Sequence, residues 1–218
     1  MKPKVTVCMA VGFVLAAGLS GCTPDKMEFE LYTSDIRKAG TAVVEVPLRV
    51  TFSTVGEDTD GSMLKASKVA KRYLGDKADV VMSKSDFGDV MVIKCTIPMG
   101  TADALKSYLA SKHRPIALTV KGDSVILNPT EHLKALNQDL RDINMMFDID
   151  MPAKSTVFRF IGDMESAPEI TAIAVFVDKK PELLFHRKLA RRASVDVDFK
   201  GDQASVYCEI APQFIIKF

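Results

Sequence analysis

The clearest pattern in this chain is the alternation at residues 44–52. Val44, Val46, Leu48, Val50 and Phe52 fall on one side; Glu45, Pro47, Arg49, Thr51 and Ser53 fall on the other. A period of two marks a strand with one buried face. Pro47 cannot donate to a ladder, so it points to an edge position or a bulge. A shorter strand is predicted before it, at 28–32. The polar loop from Gly56 to Gly61 then leads to a helix starting near Ser62. Its apolar side is Met63, Ala66, Ala70, Tyr73 and Leu74, and Gly75 is a natural C-cap.

The pattern switches repeatedly after that. Strands are predicted at 78–83 and 89–97, then a helix at 101–112 that Pro115 ends. A hairpin follows, 116–121 and 124–127, with Gly122 at the first turn position of a type II′ turn. Asn128-Pro129-Thr130-Glu131 reads as an N-cap, a proline at N1 and a capping acid at N3. Leu133, Leu136, Leu140, Ile143 and Phe147 recur at three and four, a stripe suited to packing on a sheet. Beyond Met151-Pro152 only strands are predicted: 155–161, 169–177, 183–189, 193–199, 204–210 and 213–217. The 169–177 run is apolar on both faces, which predicts a central strand.

Strand-then-helix units therefore recur at 43–74, 89–112 and 124–143, and strands dominate afterwards. The expected fold is α+β. A mixed part, 28–148, carries about three helices packed on a sheet, and an antiparallel β-rich part or sheet extension follows at 149–218.

The N-terminus adds an address. Lys2 and Lys4 precede an apolar run from Val5 to Ala17, the plan of a secretory signal. The run is too short to span a bilayer, which takes about 20 residues. Leu19-Ser20-Gly21-Cys22 resembles a lipobox, the processing site of bacterial lipoproteins. That resemblance implies cleavage between Gly21 and Cys22, lipidation of Cys22, a signal at 1–21 and a tether at 22–27. The implied partner is a lipid bilayer, and Thr23 in place of Asp implies the periplasmic face of an outer membrane. Cys22-Thr-Pro-Asp-Lys and Tyr32-Thr-Ser-Asp-Ile-Arg37 are also similar to small lipoproteins carried by phages and prophages, a resemblance confined to residues 22–37.

Charge and chemistry narrow the function class. Lys and Arg number 29 against 28 Asp and Glu, and losing Lys2 and Lys4 moves the net charge from +1 to −1. No global bias points to nucleic acid. Removal of 21 of the 218 residues leaves 197, enough for a real core. Cys8 leaves with the signal. Cys95 and Cys208 remain, each on an apolar strand face. A disulfide between them would close a loop of more than about 100 residues, worth about 4–5 kcal/mol in the chain-entropy model. Two separate buried thiols fit equally well.

His113, His132 and His186 have no metal-ligand spacing, and adjacent Glu131 and His132 are not expected to share a helix face. The acidic loop 57–61 lacks the later bidentate Glu of a calcium site. Asp148 with Asp150, and Asp196 with Asp198, read as solvated faces. No cofactor is expected. Lys179, Lys180, Arg187, Lys188, Arg191 and Arg192 form the most basic stretch. It suits anionic head groups or an acidic partner, or else a hairpin that charge protects from edge pairing. The expectation is a binding or structural envelope lipoprotein, not an enzyme, with an envelope protein as its partner. An exclusion lipoprotein of a phage or plasmid, and an envelope-modifying hydrolase, are the alternatives.

Overall fold

The computed structural model describes residues 24–53, 61–75, 78–86, 88–143, 149, 153–200 and 213–218. The first strand, β1 (Lys26–Tyr32), alternates: Met27, Phe29 and Leu31 are buried, while the side chains between them are not. Helix α1 (Thr33–Ala39) follows at once. Strand β2 (Val44–Ser53) buries Val46, Leu48, Val50 and Phe52, as its alternation predicts. Helix α2 (Ser62–Leu74) is followed by β3 (Asp79–Ser85), β4 (Gly88–Thr101) and α3 (Ala102–Ser111). Strands β5 (Ile116–Lys121) and β6 (Ser124–Pro129) form the expected hairpin, and α4 (Glu131–Arg141) closes the first part. Then come β7 (Ser155–Ile161), β8 (Glu169–Val177), β9 (Lys180–Lys188), β10 (Ser194–Lys200) and β11 (Gln213–Lys217).

These strands overturn the expected fold class. Nine of them close into a barrel, in the order β10-β7-β1-β2-β4-β5-β6-β11-β8, with β8 returning to β10. The protein is mostly β with four short helices, not an α+β arrangement of helices on a sheet. The physical reason lies in the ladders. Of the strand–helix units read from the sequence, only β4-α3-β5 is a parallel crossover. The other two units join strands that do not pair with each other, so no layer of crossover helices forms over a sheet. The stripe on α4, expected to lie on a sheet, packs against α2. Leu133, Leu136 and Leu140 join the same core that Met63, Ala66 and Leu74 of α2 enter.

Strands from both sides of residue 148 share this sheet. β7 runs parallel to β1, with Phe29 opposite Phe158, and β11 pairs with β6. The barrel interior is aromatic where the two meet. The Phe29 and Phe158 rings stack 4.9 Å apart. Phe199 and Phe214 meet Phe158 edge-on at 5.6 and 5.3 Å, and Phe160 packs on Phe214 at 4.6 Å.

Several local readings change for identifiable reasons. Pro47 does not mark an edge strand, since β2 has β1 and β4 on its two sides. The β1–β2 ladder nevertheless stops at Phe29 and Leu48, one residue short of Pro47. Asn128 and Pro129 continue β6, opposite Ala117 and Ile116. The cap of α4 is Thr130, whose Oγ1 accepts from the His132 N–H at 3.2 Å. Gly122 takes φ +59° and Asp123 does not follow it into positive φ, in keeping with a type II′ turn. In β8 the buried side chains are Ile170 and Ala172, then Val175 and Val177. The parity flips at Ala174, which sits at φ +54°. That change of face, not burial on both sides, makes the run apolar throughout; Ile173 is exposed.

Helix α1 was not predicted, because its cap comes from far away. The Asp163 carboxylate accepts from Thr33 Oγ1 at 2.8 Å and from the Ser34 N–H at 2.9 Å, and also binds Ser34 Oγ. Burial opposes the charge on Asp163, but these hydrogen bonds outweigh it and hold the carboxyl below its ordinary value.

Two outcomes follow for stability. Phe158→Ala should cost about 3–5 kcal/mol in urea denaturation, more than Phe199→Ala at the margin of the cluster; an unchanged midpoint would contradict a central role. Asp163→Asn should cost about 1 kcal/mol at neutral pH. Because the folded-state pKa is depressed, that stabilisation is complete above the ordinary carboxylate range and is lost as the pH falls through it. Wild type and variant should therefore converge between about pH 5 and pH 2.

Candidate functional site

On β10, β7, β1 and β2 the outward positions are mostly polar where the inward ones are apolar. Cross-strand register builds the outer surface in rows. One row reads Asp198, Val157, Glu28, Arg49, Lys94 and Asp79 across β10, β7, β1, β2, β4 and β3. The next begins Asp196, Arg159 and Glu30. Glu28 faces Arg49, Asp79 faces Lys94, and Asp196 and Glu30 face Arg159, the favourable cross-strand arrangement, while Arg49 and Lys94 are like charges side by side.

Pro47 opens this surface. Having no N–H, it cannot extend the β1–β2 ladder. Beyond Leu48, β1 stays with β7 as far as Tyr32, while β2 stays with β4 as far as Val44. A cleft of about 320 Å3 lies here, lined by Glu28, Glu30, Pro47, Arg49, Lys94 and Arg159. Lys26 Nζ lies 2.6 Å from Glu28 Oε1, and Arg49 Nε is 3.7 Å from Glu28 Oε2. Arg159 grips Asp196 with two hydrogen bonds, Nε to Oδ1 at 2.8 Å and Nη2 to Oδ2 at 2.9 Å. That contact raises the Arg159 pKa and lowers that of Asp196. The pair is surface-exposed, so it orients the guanidinium more than it stabilises the fold. Lys94 and Glu30 have no ion-pair partner among the described residues and remain available to a ligand.

A second carboxylate marks the margin of this face. Glu45 accepts hydrogen bonds from Thr96 and from Tyr108 of α3, and Lys112 Nζ lies 3.8 Å away. Burial would raise its pKa; the two hydrogen bonds, with Arg114 and Lys112 nearby, bring it below the ordinary value. The carboxylate is held ionised and fully engaged, which makes it a clasp for α3 and a poor general base.

The residues singled out in the sequence fall in several places. Gly21, Cys22 and Cys208 lie outside the described residues, as do Asp148, Asp150 and the loop up to Asp60. Cys95 carries a free thiol inside the barrel, in register with Leu48, Phe29 and Phe158. Burial pushes that thiol up to about 12. Asp196 and Asp198 do share a face, but Arg159 holds the first and Ser155 Oγ donates to the second at 2.7 Å. His186 bonds Thr171 at 2.9 Å. His113 and His132 meet edge-on at 4.6 Å, and Glu131 curls back to 3.7 Å from His132 Nε2, closer than adjacent helix positions suggest.

The six basic residues do not form one cluster. Lys179 and Lys180 sit at the β8–β9 turn, Arg187 and Lys188 near the other end of β9, and Arg191 and Arg192 in the turn before β10. Lys188 pairs with Glu169 at 3.2 Å, Arg191 pairs with Glu165, and Arg187 lies over the Phe185 ring. Arg192, Asp178 and Asp196 line a second hollow, about 380 Å3, that shares Arg159 with the cleft.

The cleft itself was not read from the sequence. Its signal was the set of charges at the outward positions of alternating strands: Glu28 and Glu30, Arg49, Lys94, and Arg159 alone in Ser155–Ile161. Chemically it offers charges of both signs on a fixed frame. Among the described residues, no three His, Cys, Asp or Glu side chains are placed to hold a metal ion. No protein-family model, no curated protein and no solved structure matches this chain.

The raised Cys95 pKa gives a direct check. In a Cys208→Ser chain at about pH 8, a maleimide should leave Cys95 unmodified in native protein and label it once urea unfolds the barrel. Rapid native labelling would place the thiol outside the barrel.

Proposed function

We propose that this chain is a lipid-anchored envelope protein whose barrel serves as a binding or structural module and not as a catalyst. The observation that carries the reading is Leu19-Ser20-Gly21-Cys22 set almost directly against a folded domain. The backbone is already pinned at Pro24, whose carbonyl accepts from the Lys154 N–H at 3.1 Å. The Asp25 N–H donates to Thr51 O at 2.9 Å, and its carboxylate meets Lys154 Nζ at 2.7 Å. Two residues of reach, about 7 Å, separate Cys22 from that point. The anchor thus holds the barrel against the bilayer and not on a stalk.

The side-chain arrangement supports attachment over spanning. A transmembrane barrel turns an apolar band to lipid and keeps its polar side chains inside. Here the β7-β1-β2-β4 face is charged outside, and Phe29, Leu48 and Phe158 fill the inside. No helix among the described residues is long and apolar enough to cross a membrane. For the site, the supporting feature is the cleft. Charges fixed by neighbouring strands suit a polar envelope component, and Lys94 and Glu30, without an ion pair among the described residues, are its open contacts.

The test is metabolic labelling with an alkyne palmitate in a bacterial host, followed by detergent-phase partition. Wild type should carry the label and enter the detergent phase. Cys22→Ser should lose the label and keep its signal uncleaved. Wild-type protein that is exported and cleaved without label would sink the reading.

A further inference from the structure

Two charges in the cleft are left over by the register that matches the rest. Arg49 and Lys94 are direct partners in the β2–β4 ladder. Like charges in that relation repel. Glu28 stands beside Arg49, but Lys26 Nζ already holds it at 2.6 Å, and Arg49 Nε reaches it only at 3.7 Å. Asp79 stands beside Lys94 on β3, without forming an ion pair to it among the described residues. Glu30 is left over with the opposite sign. The residue that would face it on β2 is Pro47, which carries no charge and ends the ladder. Its neighbour on β7 is Arg159, whose guanidinium is committed to Asp196 by two hydrogen bonds.

The face as a whole is neutral. Lys26, Arg49, Lys94 and Arg159 are balanced by Glu28, Glu30, Asp79 and Asp196, so net charge selects neither an anion nor a cation. What the cleft presents is a separation of charge, with a cationic pair at one end and a lone carboxylate at the other. Lys94 and Glu30 lie two strands and two residues apart in the register, about 12 Å between Cα atoms. Both line one cleft of about 320 Å3, at the small end of ligand pockets. A ligand that meets both is therefore short and carries one charge of each sign.

We propose that the cleft binds a phosphoethanolamine group, a phosphate joined to a primary ammonium by an ethylene linker. Arg49 and Lys94 take the phosphate between them, which removes their mutual repulsion. Two cations on separate strands suit the diverging oxygens of a phosphate; a planar carboxylate is satisfied by one guanidinium fork. Glu30 accepts hydrogen bonds from the ligand's ammonium. A quaternary ammonium has no N–H to donate and is recognised instead by aromatic faces. Phe29, the aromatic residue along the cleft, has none of its surface exposed, so a choline group finds no such face. This assignment rests on the reading of the barrel as a binding module and names what its cleft takes.

The test uses the full chain, expressed in a bacterial host and purified in a non-ionic detergent. Glycerophosphoethanolamine is titrated by ligand-observed NMR, beside glycerophosphocholine and β-alanine. The first should bind with a Kd of about 1 mM, and the other two at least about tenfold more weakly. Lys94→Gln and Glu30→Gln should each weaken binding about tenfold at an unchanged melting temperature. Lys94→Arg, which keeps the charge, should retain it, and so should Lys179→Gln, outside the cleft. Equal affinity for the choline or carboxylate compound, indifference to either Gln variant in the cleft, or no binding at about 10 mM would overturn the assignment. Phosphatidylethanolamine added to the micelles should displace the ligand where the lipid is its source. Binding that keeps its selectivity and its response to both variants, without displacement, supports the assignment with the free head-group compound as source. Palmitate labelling without binding would leave the anchor and remove this ligand; binding without labelling would do the reverse.

Discussion

The stacked pair Phe29–Phe158 is the contact on which the barrel depends. It lies at the parallel junction of β1 and β7, two strands far apart in the chain. Bringing such distant strands together carries a loop-closure cost that grows slowly with length. The five phenylalanines of the cluster, drawn from β1, β7, β10 and β11, offset it by burying large apolar surface at one place. Remove the cluster and β1 keeps only β2, while β10 and β11 lose the wall they pack on. The N-terminal and C-terminal halves are then joined through β6 and β11 alone, an open sheet with unpaired edges.

Closure also dictates where function can reside. Among the described residues the barrel interior is occupied by apolar side chains, Met27, Leu31, Ile97 and Leu118 with the aromatics. Binding surfaces must come from irregularities in the wall. Pro47 makes one by ending a ladder, and the charged side chains of four strands converge on the gap. Ala174 makes another by turning the end of β8 toward β10 and leaving β9 outside. Both are backbone events of a single residue, and each exposes side chains that a regular barrel would pair or cover.

Local order was legible in the sequence, and closure was not. Alternation located β2, a continuous apolar run located β8, and the helical spacing of apolar residues after Ser62 located α2, because those signals depend on neighbours within a few positions. The hairpin at Gly122-Asp123 was equally local. The barrel rests on the pairing of β1 with β7, of β11 with β6, and of β8 with both β11 and β10. Nothing in a strand's own alternation names its partner. Helix α1 escaped for the same reason, with its cap 130 residues away. The cleft is a special case: each of its charges was visible, but Arg159 and Asp196 meet only through register. Pro47 was read as an irregularity, and it is one, although its consequence is a split between two ladders and not an edge.

The cleft and the proposed anchor are linked by β1 itself. Glu28 is four residues from Pro24 and Glu30 is six, so at about 3.3 Å per residue the cleft lies some 13–20 Å from the entry point. With the chain pinned at Pro24 by Lys154 and Thr51, that separation is fixed by a strand in the middle of a sheet, not by a flexible linker. A barrel anchored there could not carry its cleft far from the bilayer. Its ligand would have to come to the membrane surface, which favours a head group, a membrane protein's periplasmic loop or another anchored chain over a freely diffusing solute. Binding there would also cost little ordering entropy, because the frame that carries the charges is already rigid.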